Sequence, residues 1–129
     1  MVTDRLTDGV RIGQLLASEI TGDEGRLRSL RLADADPDVE PTPDGTLAYR
    51  VSRAGRDGSE LVAEAYVQPD RVRLEFVTAP DAVAEAASEA GLRVRPKSVR
   101  PPRTLVFVED GAQVKRVLTA FEAALAPRK

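Results

Sequence analysis

The chain has 129 residues, 42% of them hydrophobic and 31% charged, with a net charge of −2; this is the size of one domain, spanning 1–129, that buries a core without staples. It contains no cysteine and no histidine, which excludes disulfides, thiolate nucleophiles, sulfur-bound zinc and the commonest general base. The near-neutral total writes no nucleic-acid or membrane field into the chain, and no apolar run approaches the ~20 residues that cross a bilayer.

In chain order, the first predicted element is a helix. Thr3 or Thr7 is its expected cap and Gly22 its expected left-handed stop. Ile12, Leu15, Leu16 and Ile20 recur at helical spacing, with Leu6 and Val10 one or two turns earlier. Residues 26–33 read as a strand, followed by the acidic, proline-containing stretch DADPDVEPTPDG at 34–45. Three alternating runs come next: TLAYRVSR with Leu47, Tyr49 and Val51 on one face, SELVAEAYV with Leu61, Ala63, Ala65 and Val67, and RVRLEFV with Val72, Leu74 and Phe76. Period-2 alternation opposite polar residues marks half-buried antiparallel strands. AGRDG and Pro69–Asp70 supply the turns of this meander.

A second helix is predicted from a Thr78/Asp81 cap around Pro80 to Gly91, with Val83, Ala87 and Ala90 on one face. LRVRP at 92–96 is a short strand and KSVRPPR a loop. TLVFVE at 104–109 is apolar on both faces and reads as a central strand covered on both sides. Asp110, with Gln113 three residues on, caps a last helix carrying Val114, Val117, Leu118, Phe121 and Leu125, and Pro127 ends it. The expected class is α+β: an antiparallel sheet in the element order α-β-β-β-β-α-β-β-α, with helices packed on the sheet.

Five features are weighed for function. Asp34, Asp36 and Asp38 imitate the start of a calcium loop, but its sixth position is Val39 and its twelfth is Gly45, where glycine and a bidentate glutamate belong. The expected reading is a proline-stiffened connection, with the three aspartates as weak metal candidates only. Arg93, Arg95, Lys97, Arg100 and Arg103 form an acid-free basic run. With Arg26, Arg28 and Arg31 beside it, this run would neutralise phosphates, although no nearby aromatic residue offers base stacking. The VEDGAQVKR turn lacks a phosphate-loop pattern and reads as a capped helix start. The stripe Ile12, Leu15, Leu16 and Ile20 packs on the sheet or presents apolar surface to a partner. Glu60, Glu64 and Glu75 are expected on the open sheet face with Arg71 and Arg73, as cross-strand ion pairs and not as a poised acid and base.

The element order resembles that of type III secretion chaperones, a resemblance that implies a small, mostly dimeric protein that binds polypeptides without catalysis. TDGVRIGQLLASEITG and LVFVEDGAQVKRVLTAFEAAL resemble segments of an uncharacterised family of small haloarchaeal proteins, which implies an archaeal source. The expectation is a cytoplasmic, non-enzymatic binding or adaptor protein that needs no cofactor and pairs with itself as a homodimer or with another protein. The alternative is nucleic-acid or other polyanion binding through the basic run at 93–103.

Overall fold

A computed structural model describes residues 7–23, 25–55 and 58–125. Among these the elements run α1 (Gly9–Gly22), β1 (Leu30–Ala33), β2 (Thr46–Gly55), β3 (Gly58–Gln68), β4 (Arg71–Phe76), α2 (Pro80–Glu89), β5 (Arg93–Lys97), β6 (Arg103–Val108) and α3 (Gly111–Leu125). This is the α+β order expected from the sequence. The strands form one antiparallel sheet in the order β1-β2-β3-β4-β6-β5. The meander is therefore β1 to β4, and β6 inserts between β4 and β5.

Strand alternation decides what the helices cover. Val67 pairs with Val72, Ala65 with Leu74, and Leu74 in turn with Val106, so these side chains share one face. Ile12, Leu16 and Ile20 of α1, Val83 and Ala87 of α2, and Val114, Val117 and Phe121 of α3 join them in one apolar cluster. Phe76 and Phe121 meet at the centre, with ring centroids 4.8 Å apart. Each such buried aromatic contributes on the order of 1.5–3 kcal/mol. At Gly9, α1 crosses the β3–β4 turn so closely that a Cβ would collide with the Gln68 carbonyl oxygen, while the Gly9 N–H bonds the Pro69 carbonyl at 3.1 Å.

The strand faces depart from simple alternation at two irregularities, between Leu47 and Tyr49 and between Val51 and Ser52. An inserted residue reverses the faces beyond it. Leu47 thus pairs with Tyr66 and Leu61 with Ser52, on the side away from the helices, and Ala48 and Val62 take the buried places. Glu60 is likewise carried to the helix side, where it pairs with Arg53, whose guanidinium also reaches the Leu125 carbonyl.

Several end signals also differ. Asp8, not Thr7, caps α1, its carboxylate accepting the Arg11 N–H at 3.2 Å, and Gly22 lies inside the helix. Thr3, Leu6 and Pro127 lie outside the described residues. Residues 26–29 form a turn, so β1 begins only at Leu30. Ala79, with φ 45°, stands at the α2 N-cap without a side-chain bond, and the Thr78 hydroxyl is buried without a hydrogen-bond partner among the described residues. Gly91, at φ 81°, does close α2, with Leu92 N–H bonding the Ala87 carbonyl at 3.0 Å. Asp110 caps α3 as expected: its Oδ1 accepts the Gln113 N–H at 3.0 Å while Gln113 Oε1 accepts the Glu109 N–H at 2.8 Å.

Candidate binding face

The helices pack on one side of the sheet, so the alternate residues of β2 to β6 form an open face. β4 contributes Arg71, Arg73 and Glu75; β3 Glu64, Tyr66 and Gln68; β6 Arg103, Leu105 and Phe107; β5 Arg93, Arg95 and Lys97; β2 Arg50. At its centre Glu64 and Glu75 are direct partners across β3 and β4. Facing like charges destabilise a sheet unless something bridges them. Arg103 does so: its Nη1 donates to Glu64 Oε1 at 2.8 Å and to Glu75 Oε1 at 3.1 Å.

Each carboxylate has further donors. Glu64 accepts from Arg50 Nε at 2.9 Å and from the Tyr66 hydroxyl at 2.9 Å. Glu75 accepts from Arg73 Nε and Lys97 Nζ, each at 3.1 Å. Arg50 continues to Asp34 at 2.8 Å, and Arg73 to the Asp44 carbonyl at 2.8 Å. The result is a network running from the acidic connection to the β5 edge. The side chain of Glu75 is 2% exposed and that of Glu64 9%, although no helix or strand among the described residues covers them; the cationic side chains themselves form the roof.

Burial alone raises the pKa of Glu64. The hydrogen bonds from Arg103, Arg50 and Tyr66, with the charge of Arg103, more than offset it and hold the carboxyl below its ordinary value. A carboxylate so held is a weak base, and arginine keeps its proton at neutral pH. The cluster therefore offers fixed charge and fixed shape, with little capacity for proton transfer.

Both open-face aromatic rings lie beneath guanidinium groups. Arg71 sits 4.4 Å from the Phe107 ring centroid and Arg73 4.7 Å from that of Tyr66. This corrects the expectation for 104–109: its second side is covered by an arginine, not by a second layer. Arg71 and Arg93 share Glu109 at 3.6 and 3.4 Å.

The structure thus splits the basic run. Arg93, Arg95 and Lys97 are on edge strand β5 and Arg103 on interior strand β6; only Arg100 is in the connection between them. Arg93, Lys97 and Arg103 are committed to carboxylates, whereas Arg95 and Arg100 have no ion pair among the described residues. Arg26, Arg28 and Arg31 precede or lie on β1, the opposite edge of the sheet, so they do not extend this surface.

The apolar stripe of α1 is mostly interior. Ile12 and Leu16 are 0% exposed and Ile20 1%, which removes them from any partner surface; Leu15 alone stands out, at 42%. The carboxylates of Asp34 and Asp36 are separately engaged. Asp34 pairs with Arg50, and Asp36 accepts the Asp38 N–H at 2.9 Å. Among the described residues no three acidic side chains gather as a metal site would require, and no helix is long and apolar enough to cross a membrane.

Sequence reasoning placed Glu64, Glu75, Arg71 and Arg73 on one face but missed Arg50, Tyr66 and the bridging role of Arg103. Their partners lie 14 to 39 positions away for Arg50 and Arg103, and no local pattern signals such pairs. Neither a curated protein nor a solved structure matches the chain. One family model does match, over residues 1–129, and by that match the chain belongs to DUF7993, a family of unknown function.

Proposed function

We propose that the protein is a non-enzymatic binding module and that its open sheet face is the platform for an acidic segment of another protein. The observation that carries this reading is the fixed cationic roof over Glu64 and Glu75, flanked by Arg95 and Arg100, which have no carboxylate among the described residues. The platform is ordered before a partner arrives, so binding loses little side-chain freedom. Arginine, tyrosine and phenylalanine, with half-buried Leu105 among them, are the composition of protein interfaces. The resemblance in element order to type III secretion chaperones, which bind polypeptides without catalysis, points the same way.

A second reading, nucleic-acid or other polyanion binding through Arg93, Arg95, Lys97, Arg100 and Arg103, rests on Arg95 and Arg100, the two of these without an ion pair among the described residues. It is the weaker one because Phe107 and Tyr66 are capped by arginine and offer no ring for base stacking. Fluorescence anisotropy with a glutamate-rich peptide and a single-stranded oligonucleotide of matched charge separates the two. The peptide is expected to bind, and Arg93→Glu with Arg95→Glu to weaken it about tenfold or more. Tighter binding of the oligonucleotide, with affinity falling steeply in salt, would replace the first reading by the second. Binding of neither probe would count against the platform altogether.

A further inference from the structure

Two corners of the molecule complement each other in shape and charge. The first is a knob. Among the described residues Val99 and Leu15 are the exposed large apolar side chains, Val99 at 39%. Val99 sits in the β5–β6 connection, where its N–H bonds the Lys97 carbonyl at 2.9 Å in a tight turn. Pro101 and Pro102 follow and stiffen the segment, and the adjoining Arg100, which has no ion pair among the described residues, gives it positive charge.

The second corner is a hole. A pocket of ≈ 360 Å³ opens between α1 and the β1–β2 connection, lined by Val10, Ala17, Val39, Ala48, Tyr49 and Val67 among others. That volume falls in the range of pockets that hold ligands or anchoring side chains, and exceeds what one valine side chain fills. Asp36 is part of its wall, and Asp38 and Glu40, both exposed, stand in the same connection. The rim is thus acidic where the knob is basic.

Knob and hole cannot meet within one chain. The β1–β2 and β3–β4 connections are at one end of the sheet, and antiparallel pairing through β4 and β6 sends the β5–β6 connection to the other end, on the opposite edge. We propose that the chain associates with itself head to tail, the Val99 corner of one copy seated in the acidic-rimmed pocket of the next. Such a contact is heterologous: a pair of copies still has one free knob and one free hole, so assembly continues until a ring closes or supply ends. The pocket lies apart from the platform, and although the knob borders on it at Lys97, Arg100 and Arg103, Val99→Asp and Ala17→Phe leave every platform side chain in place, so the two readings fail separately.

Sedimentation velocity over a range of protein concentrations at low and high salt is the test. The weight-average mass is expected to rise above the 13.9 kDa monomer with concentration and to fall back as salt screens the charged rim. Val99→Asp removes the knob and Ala17→Phe fills the hole, so each variant alone stays monomeric. Their equimolar mixture forms a pair that grows no further, since one retains the hole and the other the knob. Should Ala17→Phe fail to fold, Asp38→Lys with Glu40→Lys reverses exposed rim charges and weakens association about tenfold or more. A wild-type chain that stays monomeric at high concentration, or a closed dimer unaffected by Val99→Asp, overturns the proposal. So does a mixture of two folded, monomeric variants that fails to pair.

Discussion

Glu64 and Glu75 are neighbours across two strands, and Arg103 Nη1 lies 2.8 and 3.1 Å from them. Removing one partner of a buried ionic network leaves uncompensated charge, at about 3–5 kcal/mol for a fully buried pair. Here each carboxylate keeps other donors, so Arg103→Met is expected to cost roughly 2–3 kcal/mol in urea unfolding at neutral pH. Acid exposes the same network. The folded pKa of Glu64 lies below its ordinary 4.5, so its contribution is complete above that value and is lost as pH falls through the lower, folded one. Wild-type stability should therefore decline below about pH 4.5, and Glu64→Gln should flatten part of that decline while lowering stability at neutral pH. At this scale the charges themselves were legible in the sequence, Arg93 to Arg103 above all. Which carboxylate each cation meets was not, because the pairs join residues distant in sequence.

Among the elements, α1 shows how much a local pattern conveys. The spacing of Ile12, Leu15, Leu16 and Ile20 identified the helix but left open whether its apolar stripe meets the sheet or a partner; packing on the sheet removes Ile12, Leu16 and Ile20 from water and leaves Leu15 outside. The close approach that seats this helix was not visible. Gly9→Ala would place a methyl group against the Gln68 carbonyl, and the forced shift is expected to cost about 1–3 kcal/mol, seen as a lowered Tm with near-native circular dichroism. The helix ends show the same division. Asp110 with Gln113 is a reciprocal cap set by three residues of spacing and was read correctly. At α2 the tertiary path of the chain places Ala79 in the left-handed region at the cap position and leaves the Thr78 hydroxyl unused, against what its sequence favours.

For the whole molecule the sheet order sets the gradient of stability. β4 and β6 are interior and pack beneath the helices, with Val72, Leu74, Phe76, Val106 and Val108 all 0% exposed. β1 is a four-residue edge strand. Hydrogen exchange at amides of 72–76 and 104–108 is expected to require global unfolding, and amides of 30–33 to exchange through local opening. Fast exchange along β6 with slow exchange along β1 would contradict this order. The same topology separates the acidic connection from the basic one at diagonal corners, which makes a nearly neutral chain polar in its charge distribution.

Absence of cysteine and histidine, and the element order, were determined by the sequence alone. Composition needs no geometry, and side-chain periodicity reports which face of a helix or strand meets water. The β2–β3–β4 meander followed because short turn signals join consecutive runs. Only the tertiary structure decided that β6 lies between β4 and β5, that bulges at Ala48 and Val62 exchange faces with Leu47 and Leu61, and that one side of the sheet is roofed by its own arginines. Each depends on contacts between segments far apart in the chain. A one-residue slip reverses a strand's faces without altering its composition, and the partner that makes a buried glutamate tolerable lies on another strand.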